Sequence, residues 1–159
     1  MTSNPQRLPP QRKPVYVFDT NLFVAALRSR RGASFVILNA IRQELVTGAA
    51  SQALLLEYAD VLLREGNIEK SWADEDEIET ILGVLVNQLK HVEIYYRWRP
   101  QLSDPDDEMV LECAISAQAS ASVTFNKRDF LPNATLFGIE IMSPSEFIKR
   151  FNLTERVKL

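Results

Sequence analysis

Apolar positions recur along this chain in two rhythms, short runs of four or five residues and longer stretches spaced like one face of a helix, and the two alternate. Val15 to Phe18 (VYVF) is a β-rich run with no polar face, as expected of a strand buried on both sides, and Asp19 and Thr20 end it. A helix is predicted from there to Leu27, broken by SRRG, and a second from Ala33 to about Gln43. Residues 44–51 (ELVTGAAS) predict a turn and a second strand. Ser51 is a suitable N-cap for a helix over Gln52–Arg64, with Leu54, Leu55, Tyr58, Val61 and Leu62 at helical spacing and Gly66 closing it. Residues 73–90 predict an amphipathic helix with acids in its first turn, which suits the helix dipole. Residues 91–96 (HVEIYY) predict a strand, and DPDDEMVLECAISAQA predicts a helix opening on acids and proline. ASVTF and GIEIM predict the last strands, and Ser143 with Pro144 starts a closing helix by the Ser-cap and N1-proline rule.

Strands alternating with helices argue a three-layer α/β/α sandwich with a central, mainly parallel sheet and right-handed crossovers. A chain of 159 residues, 46% hydrophobic and 25% charged, supplies one well-filled core. The expected division is a disordered tail over 1–13, marked by Pro5, Pro9 and Pro10, one domain over 14–152, and a C-terminal tail over 153–159. No run approaches the roughly 20 apolar residues of a membrane span, and the N-terminus lacks the apolar run of a signal peptide, so the expectation is a cytoplasmic protein with no membrane role. The single cysteine, Cys113, fits a reducing compartment.

Ligands of open parallel sheets lie beyond the carboxyl ends of the strands. Asp19 stands there after the first strand, and Asn126 and Asp129 follow ASVTF, at the same edge if those strands are neighbours. Glu57 lies between Leu54 and Val61 and so borders an apolar stripe. Asp107 shares a helix face with Val110 and Ala114, and points inward where Asp106 does not. Each acid alone has a plainer role. Asp19 serves as a helix N-cap as readily as a ligand, Glu57 as an edge residue, and Asp104, Asp106 and Asp107 as a capping and dipole device. Together, acids converging on one crevice repel one another unless a hard cation sits among them.

Mg2+ or Mn2+ suits such an all-oxygen set, because these ions keep several waters and lower the pKa of one toward neutrality for attack on a phosphodiester. No histidine base is then needed, and the lone His91 reads as structural. Net charge is −3, which rules out a general basic field, so contacts to phosphate must be local. Candidates are Arg28, Arg30 and Arg31, and Lys127 with Arg128.

Four segments together, VYVFDTNLFVAAL, SQALLLEYADVL, DPDDEMVLECA and VTFNKRDF, resemble the PIN-domain family, in particular its toxin components of toxin–antitoxin systems. The resemblance implies a PIN-like sandwich and a Mg2+- or Mn2+-dependent endoribonuclease. It places the family's acids on Asp19, Glu57 and Asp107, with Asn21 as the nearby polar residue. It also implies RNA as substrate, an antitoxin protein as partner, and a homodimer or higher oligomer. One departure stands at the fourth acid: Asn126 occupies the place after Thr124 where many members carry Asp, and Asp129 lies three residues on. The expected site is thus Asp19, Glu57, Asp107 and Asp129 for catalysis, the first three for metal, with Asn21, Thr124, Asn126, Lys127 and Arg128 toward the substrate.

Two other classes fit less well. A haloacid-dehalogenase-type phosphotransferase also starts from an Asp after the first strand but wants a second Asp two residues on, where Asn21 stands. A noncatalytic PIN-fold protein binding RNA or a protein partner draws support from Asn126 and from a pI of 5.3.

Overall fold

The structure is a computed structural model that describes residues 12–95 and 102–159. In chain order its elements are β1 (Val15–Phe18), α1 (Thr20–Arg28), α2 (Ala33–Arg42), β2 (Thr47–Ser51), α3 (Gln52–Leu62), α4 (Glu65–Lys70), α5 (Glu75–Gln88) and β3 (Lys90–Val92). Then follow α6 (Pro105–Ser116), β4 (Ala121–Val123), α7 (Lys127–Phe130), α8 (Asn133–Leu136), β5 (Glu140–Met142), α9 (Pro144–Arg150) and α10 (Leu153–Arg156). The strands form one sheet in the order β3-β2-β1-β4-β5, every pairing parallel. Helices cover both faces, so the expected three-layer α/β/α sandwich is the fold.

Right-handed crossovers explain the layering. The chain moves outward from β1 to β2 to β3 with its helices on one face, then returns from β3 to β4 with α6 on the other. α6 accordingly packs on β1, β2 and β4. On the first face Tyr16 and Phe18 stack edge-on against Phe147 of α9, with ring centroids 4.9 and 5.8 Å away. Phe18 also meets Phe23 of α1, which in turn meets Tyr58 of α3. Gly48 in β2 is required by this packing, since a Cβ there would lie 2.4 Å from Cδ2 of Leu89 and 2.9 Å from Cε2 of Phe18.

Local signals account for most boundaries. The Ser51 hydroxyl accepts from the amide of Leu54 and starts α3, and Ser143 does the same for α9 through Glu146. Asp74 and Glu77 close a capping box on α5. Several expectations need correction. Gly66 does not close the helix that begins at Gln52: that helix ends at Leu62, and Gly66 lies inside a separate short helix, α4. The backbone breaks at Arg64 (φ −63, ψ 136), and Asn67 then donates from its side chain to the carbonyl of Val61 at 2.7 Å, which docks α4 on the end of α3. β3 is three residues long rather than HVEIYY, and β4 ends at Val123, one residue before Thr124.

The expected N-terminal tail lies outside the described residues as far as residue 11, as does Tyr96 at the end of the expected third strand. Residues 153–159, set down from sequence as a tail, contain α10. Leu153 is fully buried and Val157 nearly so, and Gln43 clips this segment through two hydrogen bonds to the backbone of Lys158, at 2.6 and 3.0 Å. Among the described residues, no helix is long and apolar enough to cross a membrane.

Candidate active site

β1 and β4 are neighbours and parallel, so the residues that follow them emerge side by side at the carboxyl edge of the sheet. The ladder runs one step past the strands, from the Asp19 amide to the Val123 carbonyl at 2.9 Å. The Thr124 hydroxyl then donates to Oδ2 of Asp19 at 2.6 Å and accepts from the Asn126 amide at 3.0 Å. Thr124 is fully buried, so its hydroxyl is committed to holding this acid. Asp19 occupies the N-cap position of α1, yet its side chain makes no capping hydrogen bond. It is buried, 7% exposed, and burial pulls its carboxyl pKa up while the Thr124 hydroxyl opposes that. The charge of Asp104 adds to the rise.

Glu57 is half-buried on α3, next to Tyr58, whose hydroxyl donates to the Phe18 carbonyl at 2.5 Å. That bond ties α3 to the end of β1 and so fixes where Glu57 stands relative to Asp19. Burial again raises the Glu57 carboxyl, helped by Asp106 and opposed by Arg64.

α6 delivers the third acid. Pro105 is its first residue, and the Asp104 side chain accepts from the Asp106 amide at 2.9 Å, so Asp104 is a cap. Asp106 is exposed and Asp107 is buried. The Asp107 carboxyl is pushed up to about 7, first by burial and then by the charges of Asp19, Asp104, Asp129 and Asp106. Two acids that the sequence analysis did not weigh, Glu108 and Glu112, are buried on the same helix. Glu108 accepts from the Leu102 amide and so anchors the segment entering α6.

Asp19, Asn21, Glu57, Asp106, Asp107 and Asn126 share one pocket of about 370 Å3. A neighbouring pocket of about 520 Å3 shares Asp107 with it and adds Asp104, Arg128 and Asp129. Asp129 is exposed on α7 and meets the cluster from that second side. Lys127 lines neither pocket, its ammonium being paired with Glu146 at 2.7 Å. Arg30 lies over the Trp72 ring at 4.3 Å, while Arg28 lines the first pocket. Arg64, named from the sequence only as the end of a helix, also lines it. In the sequence its spacing of seven from Glu57, through Val61, hints at a shared face, although α3 ends at Leu62 and Arg64 itself is extended. His91 is exposed on the edge strand β3, in contact with the Val86 carbonyl at 3.2 Å, and lines neither of these pockets.

The donor set is all oxygen, the chemistry that Mg2+ and Mn2+ select. Asn21 adds Oδ1, a buried oxygen that makes no hydrogen bond and would suit a cation or its water. Among the described residues, no three His, Cys, Asp or Glu side chains stand close enough to ligate one ion directly. The pocket therefore fits an ion held by one or two carboxylates and its own waters, a common arrangement for Mg2+.

Residues 15–128 match the family model described as PIN domain. Of solved structures, the crystal structure of VapBC2 from Rickettsia felis, bound to a DNA fragment from their promoter, shares the fold with a TM-score of 0.51. The two chains are 19% identical over 81% of this chain and 98% of that one. No curated protein matches the sequence.

Proposed function

Because this chain belongs to the PIN-domain family, we propose that the acidic pocket is the active site of a divalent-metal-dependent endoribonuclease, the toxin half of a toxin–antitoxin pair. The observation that carries the proposal is electrostatic. Asp19, Glu57 and Asp107 come from three separate elements, line one pocket, and all have carboxyls shifted toward protonation by burial and by neighbouring acids. A site that suppresses its own negative charge in this way is stabilised by a cation.

One or two of Asp19, Glu57 and Asp107 would hold Mg2+ or Mn2+ directly and the remainder through its waters, with the Asn21 amide oxygen beside them. When bound, such an ion supplies a water ionised near neutral pH and offsets charge on the phosphate oxygens. The rest falls to the protein. Thr124 fixes the orientation of Asp19, the Tyr58 hydroxyl sets α3 and hence Glu57 against β1, and the capped start of α6 holds Asp107 at the junction of the two pockets. Asp129 completes the acidic surround on the α7 side, and Asn126 and Arg128 face the substrate. The shared fold with VapBC2 supports an antitoxin partner. The same reading takes the protein to be a cytoplasmic homodimer or higher oligomer.

A second reading has its own observations. A noncatalytic PIN-fold protein that binds RNA or a protein partner is favoured by Asn126, where many family members have Asp, and by the absence of three ligands closed on one point among the described residues.

Cleavage of a mixed RNA pool in EDTA, Mg2+ or Mn2+, beside the Asp19→Asn variant, separates the two. The nuclease reading requires cleavage that depends on metal and falls at least about a hundredfold in the variant, as loss of a charged ligand does. Unchanged cleavage by Asp19→Asn removes the assignment of the site. No cleavage in any metal, with no Mn2+ binding by calorimetry, supports the noncatalytic reading.

A further inference from the structure

An acidic pocket repels the polyanion it is proposed to cut, and a chain of net charge −3 offers no general attraction to offset this. Cations close to the pocket must do so. Arg28 and Arg64 line the first pocket and Arg128 lines the second, with Asp107 common to both. We infer that Arg28 and Arg64 on one side and Arg128 on the other grip the phosphates flanking the one being cut, so that the substrate is a strand lying across both pockets. The inference rests on the nuclease reading for the word cut, and on the pocket geometry for the grip.

Both pocket-one arginines are placed rather than loose. Arg28 donates to Oδ1 of Asn67 at 3.1 Å, and Asn67 is itself tied to α3 through the Val61 carbonyl. Arg64 pairs with Asp60 at 2.7 Å, with side chains 59% and 64% exposed. A pair so exposed is easily exchanged for another acceptor. Each guanidinium carries five N–H donors, and these contacts leave most of them available for the paired oxygens of a phosphate. The plainer roles are an i,i+4 pair for Arg64 and a dipole-complementing last turn for Arg28, both of which concern stability alone.

The test uses the full chain and a fluorescein-labelled single-stranded RNA 12-mer. Arg28→Ala, Arg64→Ala and Arg128→Ala should each raise KM roughly tenfold with kcat held within about twofold, as loss of a charged hydrogen bond to bound phosphate does. Each should also lower the slope of log affinity against log salt by about 0.7. Lys149→Ala, exposed and outside both pockets, is the control. A dinucleoside monophosphate has no flanking phosphates, so the three variants should turn it over like the parent. Unchanged KM and salt slope on the 12-mer overturn the grip, as does an equal loss on both substrates, which marks a structural role. Binding of the same 12-mer by anisotropy separates this inference from the nuclease reading. If the parent cuts nothing but binds the strand through these arginines, the nuclease reading fails and the grip stands; if it cuts and the variants bind unaltered, the reverse holds.

Discussion

Asp107 is the residue at which charge, burial and position meet. Its carboxyl titrates at about 7 in the fold, against an ordinary value of 3.8. Between those values the folded chain keeps a proton that the unfolded chain releases, so this residue's contribution to stability is lost as pH rises from about 4 to 7. The direction is opposite to that of a salt-bridged acid. Asp107→Asn should therefore raise the melting temperature of the metal-free protein by about 2–5 °C at pH 7.5, after allowance for solvent screening, and leave it unchanged at pH 4. Calorimetric melts at the two pH values check this, and a gain at pH 4 would contradict it. Mn2+ must displace the same proton, so its affinity should climb between pH 5.5 and 8 and should protect the parent but not the variant.

At the level of elements, β2 and the helices around it show what holds the edge of the site in place. Gly48 has no room for a side chain between Leu89 and Phe18, and Phe18 is the residue before Asp19. Gly48→Ala should destabilise the fold by about 1–3 kcal/mol in urea denaturation, through overpacking. Elements with a cap or an uninterrupted apolar run were legible in the sequence: β1, α3 from its Ser51 cap, α6 from its Asp-Pro start, and α9. α4 was not, because EGNIEK has a glycine and no apolar stripe, and its place is fixed by Asn67 docking on the end of α3. The inward turn of Asp107 could be read from periodicity, since helix faces repeat. The burial of Glu108 and Glu112 could not, because α6 is covered on more than one side and its polar residues carry no mark of that. Asp129 was expected beside Asp107 from its place after β4 and from the family resemblance, while its approach through a second pocket depends on where the short α7 ends up beside α6.

For the molecule as a whole, the last residues of the chain close the layer that the first strand starts. Phe147 packs on Tyr16 and Phe18, and Leu153 and Val157 fill the core behind them. Leu153→Ala should cost about 2–4 kcal/mol, the range for deleting a fully buried leucine side chain, with the unfolding midpoint falling and the metal-binding stoichiometry unaltered. Equal stability in the variant would show that α10 only lies against the domain.

The hydrogen bond from Thr124 to Asp19 joins positions 105 residues apart in the chain. Order of synthesis gives that separation a meaning in time. A ribosome releases Asp19 first, together with the α1 and α3 that will flank it, and Thr124 only 105 residues later. Until then β1 has no neighbour on one side and Asp19 has no hydroxyl to hold it, so the acidic pocket cannot assemble. A pocket built across the first and fourth strands therefore gains its geometry only when the fourth has joined the first.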